Sequence, residues 1–409
     1  MTNQALKGIK ILDFGWALVG ALTTRHLADY GADVVRIESS KRPDFSRLDR
    51  GYPYVKTSSL NDLDDKPWFV QLNTSKYSMA LNLKHPRAKE VVKKLVKWAD
   101  VVNENYTPGT MDKLGLGYEY MKTIKPDIIM ISGSVYGQTG PLANEWGIDG
   151  TGAALSGRLA LTGWPDRVPV TPSVGVYGDY VLPVINSLVV MAALIRKRKT
   201  GKGQYIDASM FEVCSQQVAP ALLDWQANGH LQTRTGNRIP DAAPHGIFPC
   251  IGQDRWCAIA VSTSDDWESF KQVLGNPSWT NEQRFSSLEL RKLHEDELEQ
   301  FVSEWTCRHT AEEIMECMQG AGVAAGVVQN AQDLLDKDPH IAERELLVQL
   351  KHPVIGTFGH QAPFFKLSKT PARMRTAPCL GEHNEYVCTQ FLGMSDEELV
   401  NLEGAGVFE

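Results

Sequence analysis

The stretch GIKILDFGWALVGALTTRHLADYGADVVRIE (8–38) decides the fold. GIKILDF (8–14) is an apolar run of strand length. ALVGALTTRHLADYGA (17–32) carries apolar residues at helical spacing and stops at Gly31, and DVVRIE (33–38) is a second strand. Strand, helix and strand in this order make a βαβ unit, hence a parallel sheet with helical crossovers.

The pattern continues outward. YSMALNL (77–83) reads as a strand, PRAKEVVKKLVKWAD (86–100) as an amphipathic helix with Pro86 in its first turn, and VVNEN (101–105) and DIIMISGS (127–134) as strands. An apolar helix at about 182–196 ends in RKRKTGKGQ, and YIDASM (205–210) is a further strand. Beyond it the character changes. HLQTRTGNRIPDAAPHG (230–246) is irregular, and FPCIGQDRWCAIAV (248–261) is hairpin-like. Helical stretches follow near 264–274 and 293–320, then the strand-like GVAAGVVQ (322–329) and a final SDEELVNLEGAG helix. The expected class is α/β: a Rossmann-like large domain (1–200), a linker (201–229), a smaller α+β domain (230–325), and a return segment (326–409) completing the large domain. Residues 39–66 show no periodicity and are long for a loop.

The net charge of −7 argues against a nucleic-acid partner, which needs a broad cationic surface, but leaves room for a small anion. The start, MTNQALKGIKILDFG, lacks the features of a signal peptide. The longest apolar stretch (180–195) is broken by Pro183, Asn186 and Ser187, so no membrane span is expected. Seven cysteines without C-x-x-C read as thiols of a reducing cytoplasm. No pair of the ten histidines has zinc-helix spacing, so no metal is expected, and His245 and His383 read as turn histidines bonded to backbone.

Glu38 ends the second strand where a ribose-binding acid would sit, but Gly15 and Gly20 stand five apart with Trp16 between, which fits neither G-x-G-x-x-G nor a P-loop. No G-x-S-x-G elbow is present. Asp179 stands apart. It follows Gly178, and Pro183 is tolerated only near a helix start, which places Asp179 within a turn or so of a helix N-terminus. There the free amides and the macrodipole would keep the carboxylate ionised and nucleophilic. Locally, a capping acid and a working anion both fit.

Six segments in order carry a resemblance: LDFGWALVG…HLADYGADVVRIES (12–39), LNTSKYSMALNL (72–83), NENYTPGTMDKLGLGYE (103–119), YGQTGP (136–141), GDYVLPVINSLVVMAAL…TGKGQYIDASMFE (178–212) and APCLGEHNEYV (377–387). Nearly end to end, the chain resembles the class III CoA-transferases, the formyl-CoA and carnitine type. The resemblance implies an interlocked ring-like dimer, with an identical or related partner subunit, and CoA thioesters as substrates with no tightly bound cofactor. It puts Asp179 in the place of the aspartate that forms anhydride and aspartyl-CoA intermediates. Leu18, Val19, Leu72, Asn73, Thr74, Asn105, Tyr106 and Lys113 match CoA-contacting positions. Ser39 stands where many members have an arginine for the 3′-phosphate; Lys41 or Arg42 could substitute, or could be solvated. The oxyanion donors would be amides near Gly178 and in 237–246, although no glycine-run flap is present there.

For the acceptor acid, Arg47, Arg50, Tyr52 and Tyr136 are candidates, the guanidinium fork suiting a carboxylate, with a solvated loop as the competing reading of the arginines. The WALVG turn and this Arg/Tyr loop resemble the branch that moves CoA from succinyl-CoA to aryl succinates such as benzylsuccinate in anaerobic toluene degradation, and Asp179 marks its catalytic subunit. Two rivals remain: an α-methylacyl-CoA racemase of the same fold, whose G-H-D histidine is replaced here by Ile148, and a non-catalytic partner subunit, whose expected mark is loss of the aspartate.

Overall fold

Six parallel strands, β1 (Lys10–Asp13), β2 (Asp33–Glu38), β3 (Tyr77–Ala80), β4 (Val101–Glu104), β5 (Ile129–Ser134) and β6 (Gln204–Ser209), form one sheet in the order β3-β2-β1-β4-β5-β6. This is the doubly wound order of a Rossmann sheet, which reverses between β1 and β4. The computed structural model describes residues 4–48, 63–171 and 176–408.

The strands are apolar on both faces because helices cover both. Leu12, Val35, Val102 and Met130 point to one side, beneath Val91 and Leu95 of the Ala88–Trp98 helix and Leu399 and Leu402 of the Asp396–Gly404 helix. Their neighbours Ile11, Val34, Val101 and Ile129 point to the other, beneath Leu27 of the Ala17–Ala28 helix and Val190 and Ala193 of the Tyr177–Thr200 helix. By length and composition Tyr177–Thr200 is the one described helix apolar enough to cross a membrane. Here it packs on the sheet, and its Asn186 and Ser187 bond to Thr23.

The chain divides into two compact units. The first comprises Met1–Leu159, Thr171–Leu231 and Glu345–Glu409; the second comprises Ala160–Val170 and Gln232–Arg344. The second has a three-stranded antiparallel sheet of β7 (His245–Pro249), β8 (Trp256–Ala260) and β9 (Ala324–Val327). Phe248, Ile259, Phe270, Phe285, Leu298 and Ile314 form its core. The helical stretch expected at 293–320 is two helices, Glu295–Thr306 and Ala311–Gly320, each starting afresh, the second on a Thr310–Glu313 capping box. The segment expected as a linker (201–229) contains the Met210–Gln216 and Ala219–Asn228 helices, and the return segment (326–409) an antiparallel hairpin of β10 (Leu347–His352) and β11 (Gly356–Gln361).

Candidate active site

The turn after β1 has backbone amides that could face a phosphate, but side chains of the chain itself take them. Gly15 N donates to Asp13 Oδ1 at 2.8 Å, Trp16 N to Asn105 Oδ1 at 2.7 Å, and Ala17 N to Asp44 Oδ2 at 2.8 Å. Asp13 Oδ2 accepts from Thr24 Oγ1 and Lys76 Nζ, and Asp44 Oδ2 accepts from Arg36 Nη2 at 2.5 Å. Three donors aimed inward cannot also bind a pyrophosphate, which disposes of the dinucleotide reading on geometry. The glycine spacing has its own cause. A Cβ on Gly20 would lie 2.4 Å from Gly15 Cα, so the two glycines let turn and helix touch.

Where the strand order reverses, an open cleft of about 300 Å³ lies at the C-terminal ends of β1, β4 and β5. Ligands of open α/β sheets bind at such a point. Leu18, Val19, Asn105, Tyr106, Tyr136 and Asp179 all line it. So do Phe45, Glu145, Trp146, Asp149 and Met210, which sequence reasoning did not propose as site residues. Asn105 holds the turn from both sides, its Nδ2 donating to Trp16 O at 3.0 Å. The Tyr106 ring meets Trp16 edge-on at 6.1 Å.

Asp179 occupies the first turn of the Tyr177–Thr200 helix, as its spacing from Pro183 required. Pro183 has no N–H to offer the Asp179 carbonyl four residues back. The expected ionised carboxylate is not what the surroundings favour. Burial, and then the neighbouring Asp149 charge, push the Asp179 carboxyl up to about 7. The amide that should have helped it is occupied, since Asp179 N donates to Asp149 Oδ2 at 2.8 Å. That amide is therefore no oxyanion donor either. Asp149 heads the Asp149–Leu155 helix and is buried, with Arg158 Nη2 3.8 Å from its Oδ1. A Cβ on Gly178 would lie 2.9 Å from Asp149 Oδ2 and 2.8 Å from Met210 Cγ, so glycine there is what admits the second carboxylate.

Several sequence expectations fall elsewhere. Arg47 is buried and cannot meet an acceptor acid. It makes a bidentate pair with Glu38 at 2.9 Å on both oxygens, bonds Asp64 and the carbonyls of Leu63 and Pro378, and lies over the Phe69 ring. Burial alone would raise the Glu38 carboxyl, but the Arg47 charge and hydrogen bonds outweigh it and hold it at about 2. Glu38 thus serves this pair and not a ribose. Leu72, Asn73 and Thr74 are buried away from the cleft lining: Leu72 packs on Leu18 and Leu22, Asn73 holds Lys76, and Thr74 bonds Asp29. Lys113 is exposed and outside the cleft lining, and Ser39 Oγ accepts from Arg42 N. Arg42 stacks over Trp16 at 5.2 Å. Arg50 and Tyr52 lie outside the described residues. Among the described residues no cluster of potential metal ligands occurs. His245 bonds the Asn237 carbonyl but opens strand β7 and does not sit in the expected turn, whereas His383 lies in a turn and its Nδ1 accepts weakly from Ser78 N.

Comparison with known proteins identifies the family. The model of CoA-transferase family III matches residues 6–384. A succinyl-CoA–D-citramalate CoA-transferase of Chloroflexus aurantiacus is 31% identical over 99% of this chain and 98% of its own. A succinate–glutarate CoA-transferase of Agrobacterium fabrum is 30% identical over 94% and 95%. Among solved structures, a CAIB/BAIF family protein from Brucella suis superposes with a TM-score of 0.86 at 27% identity, covering 95% of this chain and all of that one. The chain belongs to CoA-transferase family III and is an enzyme of that family, a CoA-transferase.

Proposed function

We propose that this enzyme moves CoA from succinyl-CoA to a second carboxylic acid, with Asp179 as the nucleophile. The observation that carries the reading is a half-buried carboxyl at a switch-point cleft, raised to about 7. A carboxylate whose charge is poorly stabilised is a stronger nucleophile than a solvated one, and near pH 7 a useful fraction is ionised. Asp179 Oδ attacks the thioester carbonyl, the C–S bond breaks, and CoA leaves as thiolate with its electron pair, giving a mixed anhydride. The thiolate then attacks Asp179 Cγ, expels succinate, and leaves an aspartyl-CoA thioester. The acceptor carboxylate repeats the two steps in reverse order and restores Asp179. Anhydrides hydrolyse, so the cleft must be covered during transfer.

The donor assignment draws on the relatives named for succinyl-CoA. Phe45, Tyr106, Tyr136 and Trp146 make the cleft strongly aromatic, and Trp146 is 83% exposed. That suits an acceptor with an apolar or aryl body, and we keep aryl succinates such as benzylsuccinate as the narrower reading. Leu18, Val19, Asn105 and Tyr106 are the CoA contacts we retain. One relative is named as a beta subunit, which supports a homologous chain as partner in an interlocked dimer. No histidine lines the cleft, which weighs against racemisation.

Incubation with succinyl-CoA and hydroxylamine should label Asp179, read by peptide mass. Asp179→Asn, folded, should lose transfer by at least about 10⁴-fold; retained exchange would overturn the mechanism. A panel of carboxylic acids, read as CoA esters, decides the acceptor, and aryl succinates yielding no product would remove the narrower claim.

A further inference from the structure

Two carboxylates share the start of the Tyr177–Thr200 helix, and the transfer chemistry as written uses only one. Asp149 is buried, donates nothing, and holds the main chain of the very residue that would react, through the 2.8 Å bond from Asp179 N. Gly178 has no side chain where one would strike Asp149 Oδ2, and Arg158 stands at the opposite oxygen. The Arg158 guanidinium also lies over the Tyr177 ring at 4.3 Å, so the cation is fixed next to Asp149.

We propose that Asp149 is a positioning residue for the transfer: it holds the Asp179 amide and sets a fixed negative charge against the Asp179 carboxylate. The inference rests on Asp179 being the nucleophile. It acts in two ways. First, it withholds from Asp179 a helix-terminal N–H that would otherwise stabilise its charge and blunt its attack. Second, the attack moves negative charge from Asp179 to the thioester oxygen and then to the CoA sulfur, so repulsion present before the reaction is relieved in its transition state. Interactions that change between ground and transition state alter kcat, whereas those common to both alter KM.

The groups facing Asp179 make this testable by pH. Asp149 and Arg158 stand on one side, Cys214 lies near from the Met210–Gln216 helix, and Glu145, Tyr106 and Tyr136 share the cleft. Of these, only the Asp149 charge raises the Asp179 carboxyl in addition to burial.

The experiment is the pH profile of succinyl-CoA-dependent CoA transfer by Asp149→Asn, which keeps an oxygen acceptor for the amide and removes the charge. The expected result is a kcat lower by roughly 10-fold, a KM for succinyl-CoA within about 2-fold, and an acidic limb of kcat/KM moved to lower pH. A uniform loss with the limb unmoved would mean a structural role only and would overturn the proposal. Gly178→Ala gives a second approach should Asp149→Asn fail to fold, since its Cβ displaces the Asp149 carboxylate; the limb should again move to lower pH, and an unmoved limb would overturn the proposal. Asp179→Asn run alongside separates the two readings. Activity retained there removes the nucleophile itself, whereas an inert Asp179→Asn beside an unmoved limb in Asp149→Asn removes only the role of Asp149.

Discussion

The turn after β1 and the start of the Tyr177–Thr200 helix both bury carboxylates against backbone amides, and they end in opposite electrostatic states. At the first, Asp13 and Asp44 are closed by Arg36, Lys76, Asn103 and Thr24. At the second, Asp149 takes an amide and leaves a second carboxyl beside it, and burial and that neighbour raise it. Buried charge that is fully paired rigidifies a scaffold, whereas buried charge left against a like charge is chemically poised. On the proposed mechanism, the same residue type serves structure in one place and reactivity in the other.

The sharpest way to break this contrast is to remove a cation from among the paired carboxylates, where Glu38 would keep only Arg36 and Ser78. Arg47→Ala leaves Glu38 buried without its bidentate partner and should cost about 3–5 kcal/mol of stability, read by urea unfolding. A cost below about 1 kcal/mol would show that water compensates. Next in size is packing. Gly20→Ala drives a methyl onto Gly15 and should cost about 1–3 kcal/mol, with reduced CoA-ester binding because the turn moves. The third effect has the opposite sign and belongs to the start of the Tyr177–Thr200 helix. The Asp179 carboxyl is raised from its usual value near 4 to about 7, so the folded state holds a proton that the unfolded state loses. The penalty is absent below about pH 4 and full above about pH 7. Asp179→Asn should therefore change stability little at pH 4 and raise it at pH 8, three units setting a ceiling of about 4 kcal/mol there, read by thermal and urea unfolding. Equal effects at both pH values would contradict the raised carboxyl.

Legibility in the sequence followed the range of the interactions. The strands, covered on both faces, show as short apolar runs, and the Asp179 position follows from Pro183, which acts four residues away; both signals are local. Arg47 misled because its partners lie beyond any local spacing rule: Glu38 is 9 residues away, Asp64 17 and Pro378 331. Glu38, Asp64 and Pro378 meet it only after folding, so an arginine in an irregular loop looked free. Asp149 was visible as an acid beside Ile148, but nothing local announced that it would reach Asp179 N thirty residues on. A signal was present in Gly178, whose missing side chain makes room for it.

By itself, then, the sequence determined the βαβ order, the parallel sheet, the ordered motifs of a CoA-transferase and the helix start that carries Asp179, because each depends on neighbours within a few residues. Tertiary structure alone decided which amides of the first turn are already taken, which arginine is locked away, and that Asp179 faces a second carboxylate. Electrostatic environment is a property of three-dimensional proximity and burial, and no linear spacing encodes it.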